Sequence, residues 1–231
     1  MKRLAFSNKI YKYLIIYGYL LLMIIVMLYK VPGLMDLSHY KSNNDSKKSR
    51  EEYIFGGYLS DTKRFDTTKM FFPVAYSGDI KDNLEFIDSY GFERTYGGER
   101  SHEGCDIMTK DNIPGQYPVV AICDGVIEKI GWLELGGYRI GLRSESGVYY
   151  YYAHLHSYED GINEGDKVIA GQVIGYIGDT GYSKVEGTTG NFDVHLHFGI
   201  YLNGSEEEYT VNPYFLLKKL ENSTIKYGFK K

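Results

Sequence analysis

The sequence predicts a mostly β domain built on antiparallel sheet and preceded by one N-terminal transmembrane helix. Three observations predict it: an uncharged apolar run near the start of the chain, a polar stretch after it with almost nothing to bury, and then short β-rich runs punctuated by glycine. They divide the 231 residues into a cytoplasmic tail (1–12), a membrane anchor (13–29), a polar linker (30–66), one domain (67–218) and a C-terminal tail (219–231).

Residues 13–29 are seventeen residues without a charge, roughly 25 Å of helix and near the lower limit for crossing a bilayer's hydrocarbon core. The segment is apolar on every side and shows no polar stripe, which argues against a buried core helix. Lys2, Arg3, Lys9 and Lys12 precede it with no acid among them, and tyrosines flank it at both ends. The positive-inside bias then leaves the N-terminus in the cytoplasm and everything after Lys30 outside the cell membrane. A cleaved signal peptide is the weaker reading, because the run is longer than a usual signal core and no small-x-small site follows it over 30–34. Residues 36–63 are rich in charge and poor in anything a core could use, as expected of a linker.

From about Phe71 onward, roughly 150 residues remain, enough for a single core of ordinary size. Residues 119–123 and 126–130 flank Asp124-Gly125, a pair suited to a tight hairpin. Residues 138–143 and 148–154 flank Ser144-Glu145-Ser146-Gly147 as a second hairpin. Further strands are expected over 167–170, 173–177 and 194–202, with one short helical turn starting at Pro213. The net charge of −4 comes without a basic cluster in the domain, so no nucleic-acid groove is expected. Cys105 and Cys123 sit in apolar, strand-like positions, where a buried thiol is commoner than a zinc ligand or a bridge. The 24 tyrosines suit strand packing with wet hydroxyls, or a groove for sugars or peptides.

Five of the six histidines fall in three short motifs: His102-Glu103-Gly104-Cys105-Asp106, Tyr152-Ala153-His154-Leu155-His156 and His195-Leu196-His197. Neutral imidazole is the commonest metal ligand and titrates near pH 7, so the pattern reads as one metal site with extra imidazoles for proton transfer, a zinc hydrolase in the first instance. Period-two alternation puts His195 and His197 on one strand face, with Val194, Leu196, Phe198 and Ile200 on the other. The same alternation places His154 with Tyr152, opposite Ala153 and Leu155. Gly97, Gly98 and Gly104 argue against helix around His102 and Asp106, leaving a shaped loop that leads into a strand, with Gly104 permitting close backbone approach. His156 is expected to face solvent, and His39 lies in the linker.

With these motifs in this order, residues 71–217 resemble the lysostaphin-type zinc endopeptidases of family M23, the LytM-like peptidases that cut peptidoglycan cross-links. Phe72-Pro73-Val74, the Tyr90 to Arg94 run, Asp124-Gly125-Val126, the Gly165 to Gly175 run, Gly178-Asp179-Thr180-Gly181-Tyr182-Ser183 and Asn212-Pro213 extend the likeness. The resemblance implies a LytM-like, duplicated-hybrid-like fold in which His102, Asp106 and His197 hold Zn2+ while His154 and His195 form the catalytic pair. It further implies a tyrosine a few residues before the first ligand to steady the oxyanion, a place Tyr96 occupies, although Tyr90 also lies upstream. The implied substrates are peptidoglycan peptides.

Two other readings compete. An M23-like scaffold or binding protein for cell-wall, division or sporulation assemblies typically lacks a ligand or a catalytic histidine, and here all five positions are filled. The run from Glu164 to Ile174 also resembles biotinyl and lipoyl carrier modules, but the nearby Lys184 lacks the flanks that such a lysine needs. Residues 184–194 form a longer connection before His195 than the family usually has, and are expected to shape or partly cover the groove.

Overall fold

The computed structural model describes residues 65–76, 83–203 and 208–226, all within one compact unit, Lys48–Lys231. The expected cytoplasmic tail, the 13–29 anchor and all of the linker before Phe65 lie outside the described residues. Among the described residues, no helix is long and apolar enough to cross a membrane.

A 3-10 turn at Thr67–Lys69 is followed by strands β1 (Leu84–Glu85), β2 (Glu93–Arg94), β3 (Arg100–Ser101), β4 (Cys105–Thr109) and β5 (Pro118–Val120). Next come β6 (Gly125–Leu133), β7 (Gly137–Ser144), β8 (Tyr149–Leu155), β9 (Ser157–Tyr158), β10 (Lys167–Val168) and β11 (Val173–Tyr176). The last elements are β12 (His195–Asn203), β13 (Glu208–Val211) and helix α1 (Tyr214–Leu220). Eight strands form the main sheet in the order β1-β4-β12-β8-β7-β6-β10, with β13 continuing beside β12 beyond β4. A smaller sheet runs β5-β11-β9, and β2 pairs with β3. Every one of these pairings is antiparallel, as expected.

Alternation along the long strands makes one face of the main sheet apolar. Leu196, Phe198, Ile200 and Leu202 of β12, Tyr150 and Tyr152 of β8, Ile140 and Leu142 of β7, and Ile107 of β4 are all buried. They share one core with Phe72, Val74, Val119, Ile122, Ile174 and Ile177 from the smaller sheet and its flanks. Each such aliphatic or aromatic side chain contributes roughly 1.5–3 kcal/mol on burial. Tyr152 is fully buried because its hydroxyl accepts a hydrogen bond from the Ile122 backbone N–H, at 2.9 Å. The opposite face of the sheet is left free to carry polar side chains.

The hairpin expected over 138–154 forms as β7 and β8, with Gly147 at φ +84° in the turn. The one expected about Asp124-Gly125 does not. β5 belongs to the small sheet, while β6 pairs with β7 and β10 in the large one, so residues 121–124 carry the chain between sheets. Gly125 is required there for closeness rather than for a turn, since a Cβ would meet the Arg143 carbonyl oxygen at 2.5 Å. Asp124 instead accepts the Ala170 N–H at 2.7 Å, tying the crossing to the β10 loop.

The domain also continues past residue 218, where a tail was expected. The helix beginning after Pro213 extends to Leu220, burying Leu216, Leu217 and Leu220 as one stripe. Beyond it, the carbonyls of Ser223 and Ile225 accept from Phe72 and Tyr76. Residues 219–226 thus close the fold onto its first described segment.

Candidate metal centre and active site

In the β4–β12 ladder His197 stands directly opposite Asp106. Opposed residues of an antiparallel pair project to the same face, so the two side chains meet on the polar side of the sheet. His102 enters from the segment before β4, which is pinned by hydrogen bonds from Gly91 N to His102 O and from His102 N to Phe92 O, both 2.8 Å. Gly104 lets this segment lie against β12. A Cβ there would sit 2.6 Å from His197 Cε1 and 2.6 Å from the Phe198 carbonyl oxygen.

The three side chains converge on one point. His102 Nε2, Asp106 Oδ1 and His197 Nδ1 form a triangle with sides of 2.9, 3.0 and 3.0 Å. His102 Nδ1 lies 2.9 Å from the Ser89 carbonyl oxygen, and a carbonyl can only accept, so that nitrogen carries the proton. Its Nε2 is therefore a lone pair facing a carboxylate oxygen at 3.0 Å, an arrangement that a bound cation resolves. The corners lie about 1.7 Å from the triangle's centre, inside the roughly 2.0–2.2 Å that zinc keeps from imidazole nitrogen and carboxylate oxygen, so one ion can touch all three. The donor set, two imidazoles and a carboxylate, fits zinc. Among the described residues it is the one group of metal-ligand type.

His154 reaches the same place by breaking the alternation that the sequence suggests. Tyr138 pairs with Leu155 and Ile140 with Tyr152, so Ala153 and His154 together oppose the single residue Arg139. This is a β-bulge, and His154 takes φ +63°, an uncommon conformation for histidine. Tyr152 before it and Leu155 after it point into the core. Ala153 shares the row of His197, and the bulge turns His154 to that polar side rather than leaving it beside Tyr152. The backbone is held there by a hydrogen bond from His154 N to Gly136 O, at 2.7 Å.

His154 and His195 lie side by side, with ring centroids 4.7 Å apart. Their Nδ1 atoms lie 2.8 Å from the Thr180 carbonyl and 2.7 Å from the Asp193 carbonyl, and so donate to them. Both rings thus keep Nε2 as a free acceptor. His102, His154 and His195 are only 2%, 5% and 8% exposed. Burial lowers the pKa of His154, His195 and His197, and for His154 the neighbouring imidazoles His195 and His197 lower it further. For Asp106 burial pushes upward, but a proton placed on the adjoining His102 or His197 nitrogen would be donated to it, and that outweighs burial and holds the carboxyl far below the usual range. A neutral trio of histidines around an ionised carboxylate is the protonation state that metal binding needs.

Several neighbours escape sequence reasoning. Arg94 donates to Asp106 Oδ2 at 2.7 Å, fixing the ligand from behind. Phe192, from the 184–194 connection, packs against His154 and His195 at 4.6 and 5.0 Å. That loop is held by hydrogen bonds from Gly190 N to Asp179 and from the Asn191 side-chain amide to Gly181 O, so it buttresses the paired histidines. Tyr182, Tyr151 and Arg139 line a cavity of about 540 Å³ that also holds His102, Asp106, His154, His195 and His197. Arg94 and Tyr182 lie in motifs visible in the sequence. Nothing there marks Phe192 or Arg139.

Tyr96 is placed differently from the expectation. It is 40% exposed and absent from the cavity wall. Its ring stacks on Tyr182 and its hydroxyl donates to the Tyr182 carbonyl, leaving Tyr182 as the phenol beside His154. Tyr90 bonds Thr210. His156 is exposed, as expected. Cys105 and Cys123 are free thiols, each pushed up to about 12, first by burial and then by the adjacent Asp106 and Asp124.

Comparison with known proteins extends these observations. Residues 100–212 match the pattern of Peptidase family M23. The chain is 39% identical over 142 residues to the L-Ala–D-Glu endopeptidase of Bacillus subtilis, covering 62% of this chain and 42% of that protein. It is 39% identical over 103 residues to lysostaphin of Staphylococcus simulans, covering 44% of this chain and 19% of the relative. The chain therefore matches less than half the length of these curated relatives. The crystal structure of a LytM chain from Ruminococcus gnavus is similar over 81% of this chain and 79% of that one, at 43% identity and a TM-score of 0.66. A relative matched at that identity over so much of its length, with the family pattern spanning all five site positions, leaves one assignment: this chain belongs to peptidase family M23.

Proposed function

We propose that the chain is a zinc-dependent metalloendopeptidase that hydrolyses peptide bonds in cell-wall peptidoglycan. The observation that carries this reading is the triangle of His102, Asp106 and His197 with two further neutral, buried imidazoles beside it in an open cavity. The relatives named above as endopeptidases support the substrate class. Zinc bound there would supply a Lewis acid and lower the pKa of a coordinated water to about 7.

The protein's own groups do the rest. His154 and His195 each present an Nε2 lone pair to the cavity, held in that tautomer by Thr180 and Asp193. One takes the proton of the attacking water and returns it to the leaving amine, while the other, after taking a proton from solvent at Nε2, donates to the developing oxyanion. Burial of both rings lowers their pKa and so keeps them in the neutral form that can accept a proton before the reaction.

Residues 13–29 would hold this domain at the outer face of the cell membrane as a single-pass anchor, with the N-terminus cytoplasmic. The charge-free run and the basic residues before it support that placement.

The test incubates the full chain with purified peptidoglycan, with and without chelator, and identifies released fragments by mass spectrometry. New amino termini that disappear with chelator and return with zinc are expected. Intact peptidoglycan under zinc-replete conditions would overturn the proposal.

A further inference from the structure

On the polar face of β7 stand two arginines, four residues apart, and their surroundings differ sharply. Arg143 is fully engaged, with Nε and Nη2 on Glu128 at 2.6 and 2.9 Å and Nη1 on Glu208 at 2.6 Å. Arg139, nearer the catalytic end of the strand, makes no ion pair with any described carboxylate, and its Nη1 is buried without a hydrogen-bond partner. It lines the same cavity as His154 and His197. It also stands opposite the bulge that presents His154.

Glu128 and Glu208 line the same cavity but are taken by Arg143, and beside Arg139 itself stands a phenol. Tyr151, opposite Gly141 in the ladder, is the diagonal neighbour of Arg139 on the same face, and the Arg139 charge offsets part of the rise that burial gives the Tyr151 pKa. A phenol is a poor counter-ion. A buried guanidinium nitrogen left without a partner costs free energy, and such a cost is sustained where a ligand completes the pairing. The planar fork of arginine matches a carboxylate, which can accept two parallel N–H bonds. Within the cavity the other cations near the histidines are spoken for: Arg94 by Asp106, and Arg100 by the Tyr96 carbonyl and the Tyr182 hydroxyl.

We propose that Arg139 receives a carboxylate of the substrate, so that the peptide cleaved is an acidic one, a stem peptide with a free carboxylate close to the scissile bond, and not a neutral polyglycine bridge. This rests on the function proposed above and selects among its substrates. The carboxylate has two sources in a stem peptide, the free α-carboxylate of an internal γ-linked glutamate and the C-terminal carboxylate.

The experiment uses the full chain and synthetic stem peptides in three forms: unmodified, amidated at the internal α-carboxylate, and amidated at the C-terminus. Pentaglycine is the neutral comparison. Binding is measured by calorimetry on metal-free protein and turnover on zinc-loaded protein. Loss of a charge-assisted hydrogen-bond pair weakens binding by about 10- to 100-fold. One of the two amidations is expected to raise Kd and KM by that factor with kcat little changed, and the form affected identifies the source. Arg139→Gln should weaken binding of the unmodified peptide equally while leaving the sensitive amide's affinity as it was, and Arg139→Lys should recover part of the loss. Equal binding of all three peptides by the unaltered protein, or tighter binding of pentaglycine, would overturn the proposal without recourse to any variant. Because the calorimetric arm needs no hydrolysis, it fails separately from the proposed activity: binding that discriminates without turnover would sink the enzyme reading and leave the Arg139 contact standing.

Discussion

Gly104→Ala is the smallest change that should disable the metal centre without touching a ligand. The backbone there is not left-handed, so alanine meets no conformational penalty and even gains a few tenths to 1 kcal/mol through the unfolded chain. The cost is contact. The new Cβ would lie 2.6 Å from the Phe198 carbonyl oxygen and 2.6 and 2.7 Å from His197 Cε1 and Nε2, where ordinary contact begins at 3.4 Å. Phe198 O is backbone of a central strand, so the segment carrying His102 and Asp106 must draw back, or the His197 ring move as well, by about 0.8 Å, several times the ±0.2 Å that a zinc ligand tolerates. Zinc affinity should fall by at least 10- to 100-fold. Overpacking of this kind costs about 1–3 kcal/mol, so the metal-free Tm should drop by roughly 2–10 °C. Competition with a chromophoric chelator reads the first effect and calorimetry of metal-free protein the second. If the Tm drops while zinc affinity stays within twofold of the parent, the metal is not held by the triangle.

The remaining predictions separate the site's parts. His195→Ala and His154→Ala should each keep one bound zinc per chain, by elemental analysis, and lose turnover by about 10²- to 10⁴-fold, whereas Asp106→Ala should lose the zinc itself; an active His195 variant would end its assigned role. Arg94→Ala removes the group that orients Asp106 Oδ2 and should weaken zinc by about 10- to 100-fold in the same chelator competition, and an unchanged affinity would make that contact incidental. The metal-free protein should also lose stability in acid. His154, His195 and His197 have lowered folded pKa values, so the unfolded chain binds protons first; stability falls as pH drops below about 6.5, by at most roughly 4 kcal/mol per unit while all three stay neutral when folded. Asp106, held low, adds its own loss from about pH 4 downward. Urea titrations at pH 7.5, 6.5 and 5.5 measure this, and a flat or rising trend toward acid contradicts it.

Much of the sheet could be read from alternation. The runs around His195 and Tyr150 have one strongly apolar face, and such strands have only one register that buries it. The hairpin about Ser144 to Gly147 was legible because its turn joins two strands of the same sheet. Asp124-Gly125 has equally good turn chemistry, yet the strands on either side pair with partners far away in sequence, and local composition carries no record of that choice. The helix at Tyr214–Leu220 and the closing segment to 226 are similar. Their leucine stripe is visible, but its destination against Phe72 and its neighbours is a matter of tertiary packing.

The site shows the same division at finer grain. His195, His197 and Asp106 are brought together by strand register, which period two encodes. His154 is brought in by a departure from that period, a one-residue bulge with a left-handed histidine. Strict alternation from Tyr152 would have sent its imidazole into the core, where no partner awaits it among Ile122, Phe198 and Leu155. The bulge costs of order 1–3 kcal/mol of local strain, and its effect is to put two basic nitrogens side by side where a regular strand would offer one. In the ladder it also leaves Arg139 alone against two residues, at the cavity wall. The irregularity that positions the second imidazole therefore positions the unpaired guanidinium as well. The proposed proton carrier and the proposed substrate contact therefore sit on the two sides of one local distortion.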